Sequence, residues 1–175
     1  MRSARGVSPF AQSLVALLPR LRRFARVLAG SPHEADDLVQ GACERALRAE
    51  ASFIPGTRLD SWMFSILRNL WLDTRRYGTA RGGDPMPLEA ADSLPGADGP
   101  GLAESRLALG QVERALLRLP PEQREAIALV CIEDLTYREA AELLRVPIGT
   151  VMSRVARGRL ALGRTLAGTE PVGDA

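Results

Sequence analysis

No stretch of this sequence is apolar for long enough to cross a bilayer, which takes about 20 residues. The opening, Met1 to Phe10, holds no hydrophobic segment of the signal-peptide kind, so the expected location is the cytoplasm, without membrane insertion. His33 is the only histidine, so no zinc site can be assembled and no metal is expected; His33 itself is expected to be solvated near a helix start. The two cysteines, Cys43 and Cys131, lie far apart in apolar helical patterns, and both are expected to be buried reduced thiols rather than a disulfide. Aromatic residues make up only 5% of the chain, and Ile, Tyr and Thr are scarce beside Leu and Ala, which favours helix over sheet. Lysine is missing altogether: all 23 basic residues are arginine, a usage that genome base composition can produce. No nucleophile–base pair, glycine-rich phosphate loop or metal-ligand cluster is visible, so neither an enzyme nor a cofactor is expected.

What is present is a chain of 175 residues, 46% hydrophobic, enough for one domain or two small ones with real cores. Its net charge of +2 says little, but the distribution says more. Residues 1–80 carry 12 Arg against 7 acids, and residues 143–169 carry 5 Arg and no acid. Between them, residues 81–103 hold 1 Arg against 4 acids. Basic ends joined by an acidic connector suit a protein that touches a polyanion at two places. The stretch 78–103 is rich in Gly, Pro, Asp and Ala and has no periodicity, so it reads as a linker between a unit at 8–77 and a unit at 104–168.

Three helical patterns fill the first unit. Leu14, Leu17, Leu18, Leu21, Phe24, Ala25 and Leu28 recur at helical spacing and stop at Gly30. A second pattern opens after Ser31-Pro32 with Glu34, Asp36 and Asp37 in its first turns, where they match the helix dipole, and continues through Leu38, Val39, Ala42, Cys43, Ala46 and Leu47. The third follows Pro55-Gly56. Its predicted buried face is Leu59, Trp62, Met63, Ile66 and Leu70, with Arg68, Asn69, Arg75 and Arg76 opposite and Phe64 and Trp71 at the edge. The second unit shows helical patterns at about 104–118, 121–132, 136–144 and 148–166, punctuated by Pro120-Pro121, a capping box at Thr136 to Glu139, and a tight turn at Arg145-Val146-Pro147. No strand pattern appears, and the expected fold class is all-α: two small helical domains.

The stretch LTYREAAELLRVPIGTVMSRVARGRLAL (135–162) has the layout of a helix-turn-helix. Ala140, Leu143 and Leu144 turn the first helix inward, and Val151, Val155 and Leu162 form the buried stripe of the second. Thr150, Met152, Ser153, Ala156 and Arg157 then face outward. In this motif the second helix enters the major groove and reads base edges from its N-terminal half. Arginine pairs well with guanine there, serine bonds several bases, and the remaining arginines, Arg154 among them, suit phosphates. An ordinary helical hairpin with a solvated basic face is the plainer alternative.

On these residues the chain resembles the sigma-70 family of RNA polymerase sigma factors, in its small extracytoplasmic-function branch. LPPEQREAIALVCIEDLTYREAAELLRVPIGTVMSRVARGRLAL resembles region 4, HEADDLVQGACERAL the polymerase-binding part of region 2, and RLDSWMFSILRNLWLDTRRYG the promoter-melting part. The resemblance implies that Asp36, Asp37, Leu38, Val39 and Gln40 bind the β′ clamp helices of core polymerase, whose β flap is implied as a further contact. It also implies that Arg68 and Asn69, with Arg75 and Arg76, serve the −10 element and the capture of a flipped base. Thr150, Met152, Ser153, Arg154, Ala156 and Arg157 would serve the −35 element. An anti-sigma factor is implied as a further partner, and LLPRLRRFARVLAG leans towards the general-stress subgroup.

The chain departs from the family pattern at Gly41, where an acid is usual, at Met152, where Lys or Arg is usual, at Ala156, and at Gly158, where Ala is usual and Gly is expected to cost about 1 kcal/mol. Two other readings compete: a sigma-like decoy that binds an anti-sigma factor without DNA, and a stand-alone helix-turn-helix activator. The first lacks the receiver-like pattern of such decoys, and the second leaves DDLVQ unexplained.

Overall fold

The computed structural model of the chain describes residues 8–80 and 100–168, with side chains for 8–77 and 107–168. The chain divides into two units, Met1–Pro87 and Leu88–Ala175.

In the first unit α1 (Pro9–Ala29), α2 (Pro32–Arg48) and α3 (Leu59–Ala80) each contact the other two. Local chemistry sets their ends. The Ser8 hydroxyl accepts from the Ala11 N–H, and the Ser31 hydroxyl from the Glu34 N–H, each cap followed by proline at the first helical position. Gly30 ends α1 at φ +83°, a left-handed conformation in which its N–H reaches the Arg26 carbonyl. The core is Leu14, Leu21, Phe24 and Leu28 from α1, Ala35, Leu38, Val39, Ala42 and Ala46 from α2, and Met63, Phe64, Leu67 and Trp71 from α3. Each large side chain so buried contributes about 1.5–3 kcal/mol.

The buried face of α3 is therefore turned from the expected one. Met63 is on both, but Phe64, Leu67 and Trp71 replace Leu59, Trp62, Ile66 and Leu70, which are only half-buried. Phe64 decides the rotation: its ring meets Phe24 edge-on at 5.1 Å. Trp62 instead joins Phe10 (6.2 Å) and Phe53 (5.4 Å) in an aromatic cluster that ties the α2–α3 connection to the start of α1. Leu47, expected inward, is exposed at the edge of the space between α1 and α2.

The second unit holds α4 (Pro100–Leu117), α5 (Pro121–Ile127), α6 (Tyr137–Leu144) and α7 (Ile148–Leu166), with α4, α5 and α6 all contacting α7. The helix expected over 121–132 changes character at Ala128–Ile132, a π-helical turn closed by Glu133 N–H on the Ala128 carbonyl. That widening leaves Cys131 exposed, and Cys43 is only half-buried, so neither thiol is the buried hydrophobe expected. In α6, Ala141 rather than Leu143 joins Ala140 and Leu144 in the core. The ends of the expected linker are helical: Gly78 to Ala80 extend α3, and α4 begins at Pro100, where a proline suits a first turn. The rest of it, 81–99, lies outside the described residues. Among those described, no helix is long and apolar enough to cross a membrane.

Candidate nucleic-acid interface

The helix-turn-helix is assembled by short-range chemistry. The Thr136 hydroxyl accepts from the Glu139 N–H (3.2 Å), and the Glu139 carboxylate accepts from the Thr136 N–H (2.7 Å), closing the capping box. Arg145 ends α6 in the left-handed region at φ +56°, and the Val146 N–H returns to the Ala141 carbonyl (3.1 Å). Pro147 then starts α7.

α7 buries Val151, Val155 and Gly158; Leu162, expected in the stripe, is half-buried. Gly158 is where α7 and α5 approach: a Cβ there would lie 2.5 Å from Ile127 Cδ1. Its glycine is thus not only a propensity cost, as the sequence suggests, but the means of close contact. Outward from that stripe are Met152, Ser153, Ala156 and Arg157, with Thr150 and Arg154 half-buried beside them. Arg157 lies back along the helix, donating from Nε to the Ser153 carbonyl and from Nη2 to the Ser153 hydroxyl, both at 3.3 Å. The Ser153 hydroxyl in turn donates to the Thr150 carbonyl at 2.9 Å. Arg159 and Arg164 are exposed farther along. A cylinder with two apolar contacts, a hydroxyl and cations in its outward N-terminal half is the chemistry that major-groove reading uses.

On α3, Asn69, Arg75 and Arg76 are exposed and Arg68 is half-buried. Arg75 and Arg76 have protein partners in the free chain: the Arg75 guanidinium sits over the Trp71 ring at 5.1 Å, and Arg76 faces Asp73 at 3.8 Å. Phe64 and Trp71 are closed off from any base.

Sequence reasoning missed Asp60. Its carboxylate accepts from Arg58 Nη2 (2.7 Å) and Nε (3.1 Å), from Arg20 Nη1 (2.9 Å) and from the Ser61 N–H (2.8 Å). The Arg58 bonds, aided by Arg20 and Ser61 against the pull of burial, hold the carboxyl far below the usual carboxylate range. Arg20 joins α1 to this cluster from 40 residues away, a separation that periodicity cannot reveal.

The DDLVQ segment divides. Asp36, Asp37 and Gln40 are exposed, whereas Leu38 and Val39 are core residues at 7% and 4% exposure. The exposed face of this five-residue segment is therefore polar. Beside it runs a groove of about 420 Å³ between α1 and α2, floored by Leu14 and Val39 and edged by Val15, Leu18, Arg22 and Leu47. Arg22 pairs with Asp36 at 3.6 Å, and His33, exposed, faces Asp37 at 3.8 Å. Gly41 lies towards α3, not on the exposed face: a Cβ there would meet Leu70 Cδ2 at 2.9 Å, so an acid at 41 would have to displace Leu70. Among the described residues, no group of three or more His, Cys, Asp or Glu could hold a metal ion.

The family model for Sigma-70 region 2 matches residues 14–81, and that for Sigma-70, region 4 matches residues 109–162. The chain is 37% identical over 155 residues to the ECF RNA polymerase sigma factor EcfG of Rhodopseudomonas palustris, covering 87% of this chain and 82% of the relative. It is 38% identical over 147 residues to the ECF RNA polymerase sigma factor SigM of Mycobacterium tuberculosis, covering 84% of this chain and 71% of the relative. Its fold is similar to that of the sigma factor RpoE, solved in complex with the anti-sigma factor NepR from Bartonella quintana, with a TM-score of 0.77, 34% identity, and 92% of this chain and 98% of that one covered.

Proposed function

The chain belongs to the ECF family of RNA polymerase sigma factors, and on that premise we propose a division of labour between its two units. The first binds core polymerase at the β′ clamp helices through Asp36, Asp37 and Gln40, the two carboxylates being suited to an arginine-bearing partner helix. Leu38 and Val39 support that face from beneath. Arg68, Asn69, Arg75 and Arg76 on α3 serve the −10 element, where a polar base edge and a basic path for the backbone are needed. The second unit meets the β flap and reads the −35 element with α7: Arg157 reaches a base, Met152 and Ala156 contact thymine methyls, Thr150 and Ser153 frame them, and Arg154 and Arg164 lie towards phosphates. The protein acts in the cytoplasm, carries out no covalent chemistry of its own, uses no cofactor, and is held inactive by an anti-sigma factor.

The observation that carries this reading is the outward N-terminal half of α7, which places apolar, hydroxyl and guanidinium groups together on one exposed face after a capped six-to-seven helix turn. In vitro transcription with core polymerase over a promoter library tests it. The expected result is initiation at a subset sharing −35 and −10 sequences. A chain that binds an anti-sigma protein but yields no transcript on any template would be a decoy. One that fails to bind core polymerase yet binds DNA would be an activator.

A further inference from the structure

We propose that Ser153 does not read a base of its own but holds the guanidinium of Arg157, so that the two residues act together on a single base pair. This rests on the assignment of α7 to −35 reading and says how that reading is built.

A serine hydroxyl has one hydrogen to give and two lone pairs to receive. In this chain the hydrogen goes to the Thr150 carbonyl at 2.9 Å, and one lone pair is met by Arg157 Nη2 at 3.3 Å. With its hydrogen committed, Ser153 cannot donate to guanine O6 or N7, to adenine N7 or to thymine O4, the acceptors exposed in the major groove. It has one lone pair left.

Arg157, by contrast, keeps most of its capacity. The guanidinium has five N–H donors in a planar fork. Two are engaged, Nε with the Ser153 carbonyl and one hydrogen of Nη2 with the Ser153 hydroxyl. Three remain, on Nη1 and Nη2, and two of those suffice for a bidentate contact with guanine. A free arginine loses much rotamer freedom when it is fixed on a base, whereas one tied at Nε and Nη2 has lost part of it beforehand. Both residues are exposed, so neither bond is imposed by packing, and the pair lies one turn apart on the outward face of α7. Ser153 is a positioning residue in this scheme, and Arg157 is the residue that touches the base.

Holoenzyme assembled on core polymerase, bound to a library randomised across the −35 element, tests this with four variants. Arg157→Ala is expected to relax preference at one base pair by about five- to 150-fold. Ser153→Ala is expected to relax the same base pair by about three- to tenfold, the effect of one hydrogen bond. The double substitution should match Arg157→Ala alone, since a holder without its arginine has nothing to hold. Ser153→Thr keeps the hydroxyl and should restore the preference. Circular dichroism of each variant is expected to be unchanged, as both side chains are exposed. If Ser153→Ala relaxes a different base pair, adds independently to Arg157→Ala, or leaves preference intact, the proposal is overturned while the reading of α7 stands. If Arg157→Ala instead causes a loss equal on all sequences, the assignment of Arg157 as a reader fails, and the proposal falls with it.

Discussion

Asp60 is the residue on which the α2–α3 connection turns. Arg58 and Arg20 both donate to it, and Arg20 also lies over the Phe64 ring at 5.3 Å, so a single carboxylate links α1, α3 and the segment leading into α3. Because its folded-state pKa is depressed, its contribution to stability is present above the unfolded carboxylate value, about 4, and is lost as pH falls through and below it. Asp60→Asn is expected to lower stability at pH 7 by about 1–2 kcal/mol, since bonds to a charged acceptor are worth about 1.5–3 kcal/mol but solvent reaches both arginines. The variant should also show a flatter fall in stability between pH 5 and pH 2. Urea melts across that range measure both, and parallel acid profiles for the two proteins would remove Asp60 from this role. Nothing in its neighbourhood along the chain announces the residue: Arg58 is two positions away, but Arg20 is brought by the fold.

At the scale of the element, α2 and α7 each mix positions with different duties. Reversing charge at Asp36 and Asp37 together is expected to weaken assembly with core polymerase while helicity is kept, because both are exposed. Leu38→Ala should cost about 2–5 kcal/mol of stability, the penalty of a cavity in a core. A binding assay beside a thermal melt separates the two, and unchanged affinity in the charge-reversed protein would sink the docking assignment. On α7, Gly158→Ala gains helix propensity but drives a methyl towards Ile127, itself buried. We expect Gly158→Ala to lower the melting temperature and the added Ile127→Val, which removes the Cδ1 atom in the way, to recover it; a rise with Gly158→Ala alone would show that Ile127 yields freely. The helices themselves were legible because their ends are local chemistry: Ser31-Pro32, Gly30, Pro120-Pro121 and the Thr136 capping box all act within four residues. The rotation of α3 was not. Leu59, Trp62, Ile66 and Leu70 and the set Phe64, Leu67 and Trp71 both recur at helical spacing around Met63, so contact with Phe24 had to choose between them. For the same reason the five-residue DDLVQ match could not separate Asp36, Asp37 and Gln40, which face outward, from Leu38 and Val39, which do not.

For the whole molecule, the relevant fact is that each unit has its own core: Phe24, Phe64 and their neighbours in one, Ile127, Leu129, Val151 and Val155 in the other. Between the described helices stand residues 81–99, and a stretch of that length spans at most about 65 Å. Removing ten of those residues leaves a reach of about 30 Å, less than the roughly 34 Å of one turn of duplex. Transcription from promoters with both elements is expected to fall below detection, while far-ultraviolet circular dichroism still reports the helices of both units. Full transcription from the shortened protein would contradict reading at two sites. Separate cores also make the units exchangeable. A second unit taken from a relative and joined after position 99 would bring its own hydrophobic interior with it. On the proposed division of labour, −35 preference would then be inherited by grafting, while −10 preference stayed with the first unit.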